Sequence, residues 1–496
     1  MLARTIAGGT ATVSLPGRRM RQKVVLYNPK SVFWTMPLAL VAIGSALDPG
    51  RFEVVIIDGR FERHSLQAVL RAIDERTVCV GLTVLTGAPI RDALGVTRGV
   101  HAAHPSLPIV WGGWHASLFP LECLLEEGVV ASVMGQGEDT FRELVDRFAA
   151  GLPIDDLAGC AHRPTKVARR LDTGPKSGPK RPLRDLNELP RHDYSLIDVE
   201  AYFKAKNRRQ LDYISSQGCR FRCSFCADPY VFERGWTGLE PQRMGEELET
   251  LWRRHRFDDL SFQDETYFTH RDRVTGVCEE ILQRGLRFTW AATMRADQGV
   301  RLDEASWALC KRSGLRRAMV GVESGSQSMM DWLQKDIKLE QVFETAEHLV
   351  RHGIGGIFPF IVGFPDETDE SVEATLDVIQ RLRRMSDDFE VAVYFYQPYP
   401  GSKIADLAWE RGYEKPVRLE DWADFDYVGS RGPWVTAKKW ERVQRFKFYQ
   451  HHAFGRRRLV AFPLRWLARA RMRTGFLRAP FEKLVVEAMM PGERLS

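Results

Sequence analysis

Cys219-Arg220-Phe221-Arg222-Cys223-Ser224-Phe225-Cys226 decides how this chain is read. Its three cysteines stand at C-x3-C-x2-C spacing, after an apolar strand-like run, Leu211–Ser216, and a glycine. Thiolates so spaced can wrap a soft metal centre, and a cubane iron–sulfur cluster suits them. Three ligands for four irons leave one iron open to a small molecule. A zinc site would want a fourth Cys or His close by, and none follows at zinc-finger spacing. The alternative is three inert buried thiols, but the chain has only 8 cysteines, and packing does not explain the cluster.

At 496 residues the chain exceeds one typical domain. Its 44% hydrophobic and 27% charged content describe an ordinary soluble protein. A net charge of +6 is mild at this size, and no nucleic-acid partner is expected. The cysteine usage argues for reduced thiols and a metal centre rather than a disulfide scaffold. No apolar run reaches the length of a membrane span. The first residues carry Arg4, Arg18 and Arg19 without a signal-peptide apolar core, so residues 1–22 read as a flexible extension of a cytoplasmic protein.

Between residues 23 and 150, short apolar runs alternate with amphipathic ones. Val24–Tyr27, Val54–Ile57, Val78–Leu82, Ile109–Trp111 and Ala131–Met134 read as buried strands. Helical patterns fall at Leu38–Leu47, Ser65–Asp74, Ile90–Ala103, Leu121–Glu127 and Asp139–Ala149. The alternation predicts an α/β domain with a doubly wound parallel sheet, binding its ligand beyond the carboxyl ends of the strands. Those ends carry Asn28, then Thr83-Val84-Leu85-Thr86-Gly87, then Gly112-Gly113-Trp114-His115, then Gly135-Gln136-Gly137-Glu138. Small residues there let a bulky planar ligand approach the backbone. No G-x-G-x-x-G opens the first helix, which speaks against an ordinary dinucleotide site.

Residues 151–210 shift to Pro, Gly, Arg and Lys and read as a linker with a small hairpin near Ala158–Arg163. From 211 to 410 six further strands are expected: Leu211–Ser216, Asp259–Phe262, Phe288–Thr293, Arg317–Val322, Gly356–Val362 and Val391–Tyr396. Helices at Gly245–His255, Asp272–Arg284, Asp303–Ser313, Leu339–His352 and Asp369–Met385 separate them. Six βα units imply a partial (β/α)6 barrel with its site at the strand carboxyl ends. Residues 411–496 read as a mostly helical C-terminal region, aromatic at Trp422, Phe425, Tyr427, Trp434 and Trp440, expected to cap the open side of the barrel. Its basic tail, from Gly455 onward, is open to three readings: a solvated helix, a membrane-surface helix or an RNA contact.

Cys219, Cys223 and Cys226, with Phe225 before the last cysteine, resemble the signature of the radical S-adenosylmethionine (SAM) family. The resemblance implies a [4Fe-4S] cluster whose open iron chelates the amino and carboxylate groups of SAM, with Phe225 near the adenine. SAM cleavage to a 5'-deoxyadenosyl radical then needs an external one-electron reductant of flavodoxin or ferredoxin type. By the same resemblance, Gln263, Asp264 and Glu265 suit the SAM ammonium, although the family commonly has Gly-Gly-Glu. Arg295 would pair with the carboxylate or approach the ribose. Glu323 and Ser324 would serve the ribose hydroxyls, and Gly363, Tyr396 and Gln397 the adenine edge.

The N-terminal region resembles the cobalamin-binding Rossmann-like module that precedes many radical SAM domains. Thr83-Val84-Leu85 stands where that module has Ser-x-Leu, and Gly112-Gly113 matches its Gly-Gly turn. Asn28, Thr86, Trp114, His115, Gly135, Gly137 and Glu138 fall at the other strand-end positions. The module's Asp-x-His-x-x-Gly is missing: the second strand ends in Asp58-Gly59-Arg60, so lower-face ligation of cobalt is in question. His115 is the one substitute, as a cobalt ligand or as a hydrogen-bonding histidine. Together the two modules imply a cobalamin-dependent methyltransferase acting on an unactivated carbon of a small or lipid-like molecule. An oxidative cyclase or ring-rearranging enzyme of the same family shares these motifs. A non-catalytic cobalamin or redox sensor would not need the strand-end SAM residues.

Overall fold

Strands whose alternate residues are buried on opposite faces organise the first half of the computed structural model. The model describes residues 20–163, 176–425, 431–454, 462–474, 477 and 480–489. The strands are β1 Gln22–Asn28, β2 Phe52–Asp58, β3 Thr77–Thr83, β4 Ile109–Gly112, β5 Val129–Val133, β6 Cys160–His162 and β7 Lys176–Ser177. Their order is β2-β1-β3-β4-β5-β6-β7, parallel from β1 to β5 and antiparallel from β5 through β7. Val25 and Tyr27 enter one core cluster while Val24 and Leu26 enter the other. This period of two, apolar on both faces, is why β1 reads as an unbroken hydrophobic run. The strand order reverses between β1 and β3, so a crevice opens beyond their carboxyl ends.

The expected hairpin is therefore an extension of this sheet and not part of a free connector. The later part of the segment expected as a linker is packed as well: Leu186, Leu189, Tyr194, Val199, Tyr202 and Phe203 all belong to the core of the second sheet. Its apolar residues, spaced among polar ones, gain more from burial than Pro and Gly content suggests. Residues 1–19 and 164–175 of the expected extension and linker lie outside the described residues.

The second sheet begins with β8 Gln210–Tyr213. The small antiparallel pair β9 Ser216–Gly218 and β10 Trp236–Gly238 follows, and then β11 Asp259–Phe262, β12 Thr289–Arg295, β13 Leu315–Gly321, β14 Gly355–Val362 and β15 Phe389–Phe395. The order β8-β11-β12-β13-β14-β15 is parallel throughout, with β8 and β15 as its two edges. That is a six-unit partial barrel. The expected strand Leu211–Ser216 is split because Asp264 draws the chain aside after Tyr213. Its carboxylate accepts from the Ser215 N–H at 2.7 Å and from the Ser215 and Ser216 hydroxyls, each at 2.6 Å.

The C-terminal residues do two things. Helix Ala437–Phe454 lies along β15, with Trp440 4.2 Å from Phe395 and Gln450 Nε2 donating to the Val391 carbonyl. The preceding segment instead reaches back to the first sheet: Trp422 and Phe425 join its core, and Arg98 bonds both Glu126 and Glu420. Tyr427 lies outside the described residues.

Asp264 is buried and accepts three hydrogen bonds, and Arg273 donates to the Ser215 carbonyl and hydroxyl beside it. Asp264→Ala leaves three buried donors without an acceptor, and losses of this kind cost about 1–3 kcal/mol each. Guanidinium unfolding should show a fall of about 3 kcal/mol or more, with a smaller fall for Asp264→Asn.

Candidate cofactor site between the two sheets

The cysteine loop is shaped before it is chemical. Gly218 has φ +83°, and a Cβ there would sit 2.3 Å from the Gly235 carbonyl oxygen, so the turn into Cys219 requires glycine. Beyond it, the Ser224 N–H donates to the Leu333 carbonyl at 2.9 Å, and the Ser224 carbonyl accepts from the Ile404 N–H at 3.1 Å. So held, Cys219, Cys223 and Cys226 all line one cavity at the carboxyl ends of the barrel strands, together with Phe225, Glu265, Arg295 and Glu323.

Charge in this cavity is arranged around the thiols. Arg295, at the end of β12, lies 3.6 Å over the Phe221 ring, and its Nη1 stands 3.6 Å from Cys223 Sγ. Glu323 has φ +69° and accepts from Lys335 Nζ at 2.7 Å, with Lys335 5.8 Å from the Phe225 ring. Burial pushes the Cys219 thiol up to about 11. Burial raises Asp228 to about 6, and Glu265 rises well above the carboxylate range through burial and the neighbouring Asp228 charge.

Lys335 and Asp228 line the cavity although no sequence signal marked them. Lys335 sits in a turn after helix Gln327–Trp332, not at a strand end, and Asp228 looks like an ordinary helix-start acid.

The first sheet's carboxyl ends face this cavity across a cleft of about 200 Å³. Thr83, Gly112, Gly113, Trp114, Gly135, Gly137 and Glu138 line it from one side, and Ile214, Gln217 and Glu265 from the other. Glu265 thus belongs to both the cysteine cavity and the cleft. A third cavity, lined by Asn28, Thr83, Leu85 and Trp114, takes in Gln263. His192, from the segment before the barrel, lines the cleft as well and escaped notice in the sequence.

Several expected site residues stand elsewhere. Asp264 serves Ser215 and Ser216, and Gln263 bonds Asp212 and Ser261 at the third cavity, so of the three consecutive polar residues Glu265 lines the cysteine cavity. Successive side chains of an extended chain leave on opposite sides, which turns Asp264 away from its two neighbours. Ser324 is buried against Thr375. Gly363 accepts from Trp434 Nε1, Gln397 accepts from Tyr413, and Tyr396 stacks on Phe364, which in turn borders Phe225 at 6.4 Å. These last three therefore stand behind Phe225. Thr86 and His115 bond each other at 3.1 Å inside the apolar core, where Phe119 and Trp422 cover the imidazole. Burial holds His115 down to about 4, so its ring is neutral. The structure thus gives a hydrogen-bonding histidine, not one facing the cleft. Asp58 and Arg60 are likewise engaged: Asp58 bonds Arg60 and accepts from Tyr202, while Arg60 donates to the Thr35 carbonyl.

The donor set fits the groups that the motifs imply. The buried thiols of Cys219 and Cys226 are raised and ionise when a metal charge compensates them, and with Cys223 three converge with room for one more ligand. Glu265 Oε2 and Glu138 Oε1 are buried without a hydrogen-bond partner, the first at the junction of the two cavities and the second in the cleft. A Cβ at Gly112 would come no nearer than 3.7 Å to its neighbours, so the missing side chain leaves open space on the cleft wall.

The fold and site define a cobalamin-binding radical SAM enzyme. Residues 213–379 match the radical SAM superfamily and residues 26–145 the B12 binding domain, so the chain carries both domains. It is 29% identical over 375 residues to an uncharacterized methyltransferase of Pyrococcus horikoshii, covering 75% of this chain and 78% of the relative. It is 27% identical over 357 residues to the anaerobic magnesium-protoporphyrin IX monomethyl ester cyclase of Rubrivivax gelatinosus, covering 70% of this chain and 60% of the cyclase. The fold is that of TsrM, a radical SAM methyltransferase from Kitasatospora setae solved with cobalamin and a [4Fe-4S] cluster. The TM-score is 0.65 at 19% identity, over 79% of this chain and 75% of that one. The cofactors are a [4Fe-4S] cluster, SAM and cobalamin.

Gly112→Val should remove corrinoid without unfolding the sheet, because its Cβ has space and its branches enter the cleft. Gly113 is the poorer probe: at φ +91° its Cβ would strike Thr83 Oγ1 at 2.8 Å and spoil the turn itself. Corrinoid absorbance of the purified variant should fall at least tenfold, with iron content unchanged.

Proposed function

We propose that the protein methylates an unactivated carbon of a small or lipid-like molecule. The observation that carries this reading is Glu265, one side chain lining both the cysteine cavity and the cleft, so that the two cofactor sites share a wall. When bound, the cluster and SAM supply a hydrogen-abstracting radical, and cobalamin supplies the methyl group. The chain's own residues hold and shield. Cys219, Cys223 and Cys226 provide the thiolates, and Arg295 offsets charge beside Cys223. Glu323 and Lys335, a buried ion pair, present a carboxylate and an ammonium for the hydroxyl and carboxylate groups of SAM. Phe225 and the aromatic layer behind it exclude water from the adenine side. Gly112, Gly113, Gly135 and Gly137 admit the corrinoid against the first sheet, with Asn28, Thr83, Leu85 and Trp114 around it.

The cyclase relative favours a second reading in which the same radical initiates ring closure. Anaerobic incubation of the reconstituted protein with SAM, cobalamin, an external one-electron reductant of flavodoxin or ferredoxin type and a cell extract discriminates them by mass spectrometry. Methyl transfer adds about 14 Da, the mass of one CH2, to a product absent with the Cys223→Ala variant. A product that loses hydrogen and gains no carbon would favour cyclisation.

We read the enzyme as cytoplasmic: its eight cysteines are all free thiols, which suits a reducing compartment. No helix among the described residues is long and apolar enough to cross a membrane. The C-terminal helices Phe462–Thr474 and Phe481–Met489 nonetheless expose Trp466, Phe481, Leu484 and Val485, with Arg469 and Arg473 exposed beside them. Such a face suits reversible contact with anionic lipid, and that contact fits a lipid-like substrate. Phe476 and residues 455–461 lie outside the described residues. Full-length protein should float with anionic liposomes, and a chain ending at Phe454 should not. Equal flotation of the two would leave these helices a packing role alone.

A further inference from the structure

On the outside of the barrel, lining none of the cavities described above, three metal-ligating side chains converge. Glu304 opens helix Glu304–Arg312, while His348 and His352 stand one turn apart on helix Leu339–Arg351 and its C-terminal cap. Their ligand atoms all lie within 4.8 Å of one another. His352 Nε2 is 2.9 Å from one Glu304 oxygen, and His348 Nδ1 is 3.3 Å from the other. Three atoms bound to one zinc, each about 2.0–2.2 Å from it, stand roughly 3.3–3.5 Å apart, so only a small adjustment separates this cluster from a coordination shell.

The two imidazoles are held for the task. Trp307, fully buried, lies parallel to both rings, with interplanar angles of 12° and 16° at centroid distances of 5.7 and 6.3 Å. Each histidine side chain keeps only 14% of its surface exposed. His348 Nδ1 is buried and makes no hydrogen bond, although it stands beside the carboxylate. A histidine present only for an ion pair would direct an N–H at that oxygen. An acceptor nitrogen awaiting a cation has no such need. Among the described residues the competitor is Arg351, whose Nη1 also reaches Glu304. Its side chain is 56% exposed, so it can turn into water when a cation arrives.

We propose that Glu304, His348 and His352 form a divalent transition-metal site, best suited to zinc, with a fourth position open to water. Two imidazoles and one carboxylate are a borderline-soft set, which favours Zn2+ over Mg2+ or Ca2+. The site clamps two helices that flank β13, whose far end leads into Glu323 of the cysteine cavity. It is separate from the cluster chemistry.

The test uses full-length, tag-free protein with its iron–sulfur cluster reconstituted, so that the cluster cysteines are occupied. After equilibration with micromolar zinc sulfate and passage through metal-free buffer, zinc and iron are measured by plasma mass spectrometry. Wild type should retain about one zinc per chain, and the His348→Ala/His352→Ala double variant almost none, with iron equal in both. Zinc should also raise the thermal midpoint of wild type and not that of the variant. Should the double variant fail to fold, Glu304→Gln keeps the shape of the site and should weaken zinc retention at least tenfold. Equal zinc in wild type and in a folded variant, or no zinc in wild type, overturns the proposal.

Discussion

The Asp264 carboxylate is the interaction on which the site depends. It stops β8 from running on as a sheet strand by taking the Ser215 N–H and the hydroxyls of Ser215 and Ser216. The chain then peels into the short pair with Trp236–Gly238 and turns at Gly218 to deliver Cys219. A buried acceptor with three donors has few alternative arrangements, so the loop that carries the thiols inherits the rigidity of the barrel wall. Without that bend, strand geometry would send Ser215 and Ser216 to opposite faces and carry the cysteines past the barrel mouth.

A second constraint sets the two sheets against each other. Both present their carboxyl ends to the same gap, and polar links close it: Met36 N–H to Asp212, Gln136 to Gln217 and Arg184, and Tyr202 to Asp58. Asp212 is also paired with Lys206, so a buried charge stands at the junction with its partner and a backbone donor. Buried ion pairs of this kind contribute little net stability but punish misplacement, which makes them registers between domains. Asp58-Gly59-Arg60 falls into place here. Where classical cobalamin modules carry a histidine facing cobalt, this chain has a carboxylate and guanidinium committed to the segment Phe33–Thr35 and to Tyr202.

Local pattern made most of the architecture legible. Apolar runs buried on both faces read as strands, amphipathic runs as helices, and their alternation as parallel sheets. The cysteine spacing pointed to the cluster, because three thiols in eight residues have little other use. Glycines at strand ends marked the cleft, since close approach of a flat ligand needs the absence of a Cβ and that absence is written directly in the sequence.

What the chain's order could not convey is which neighbours a side chain meets. Gln263, Asp264 and Glu265 are equivalent on paper, yet one faces the third cavity, one braces a loop and one joins two cavities: alternation turns Asp264 away from its neighbours, and different packing partners meet the other two. His115 sits beside a Gly-Gly turn and still points into the core, for Trp422, distant in sequence, covers it. Lys335 and His192 enter the site from turns that no periodicity marks. The sequence by itself determined the elements and the ligand types, because those depend on local spacing and on the chemistry of single residues. Tertiary structure alone decided which polar groups converge and which are consumed as structural partners, because convergence requires packing between segments far apart along the chain.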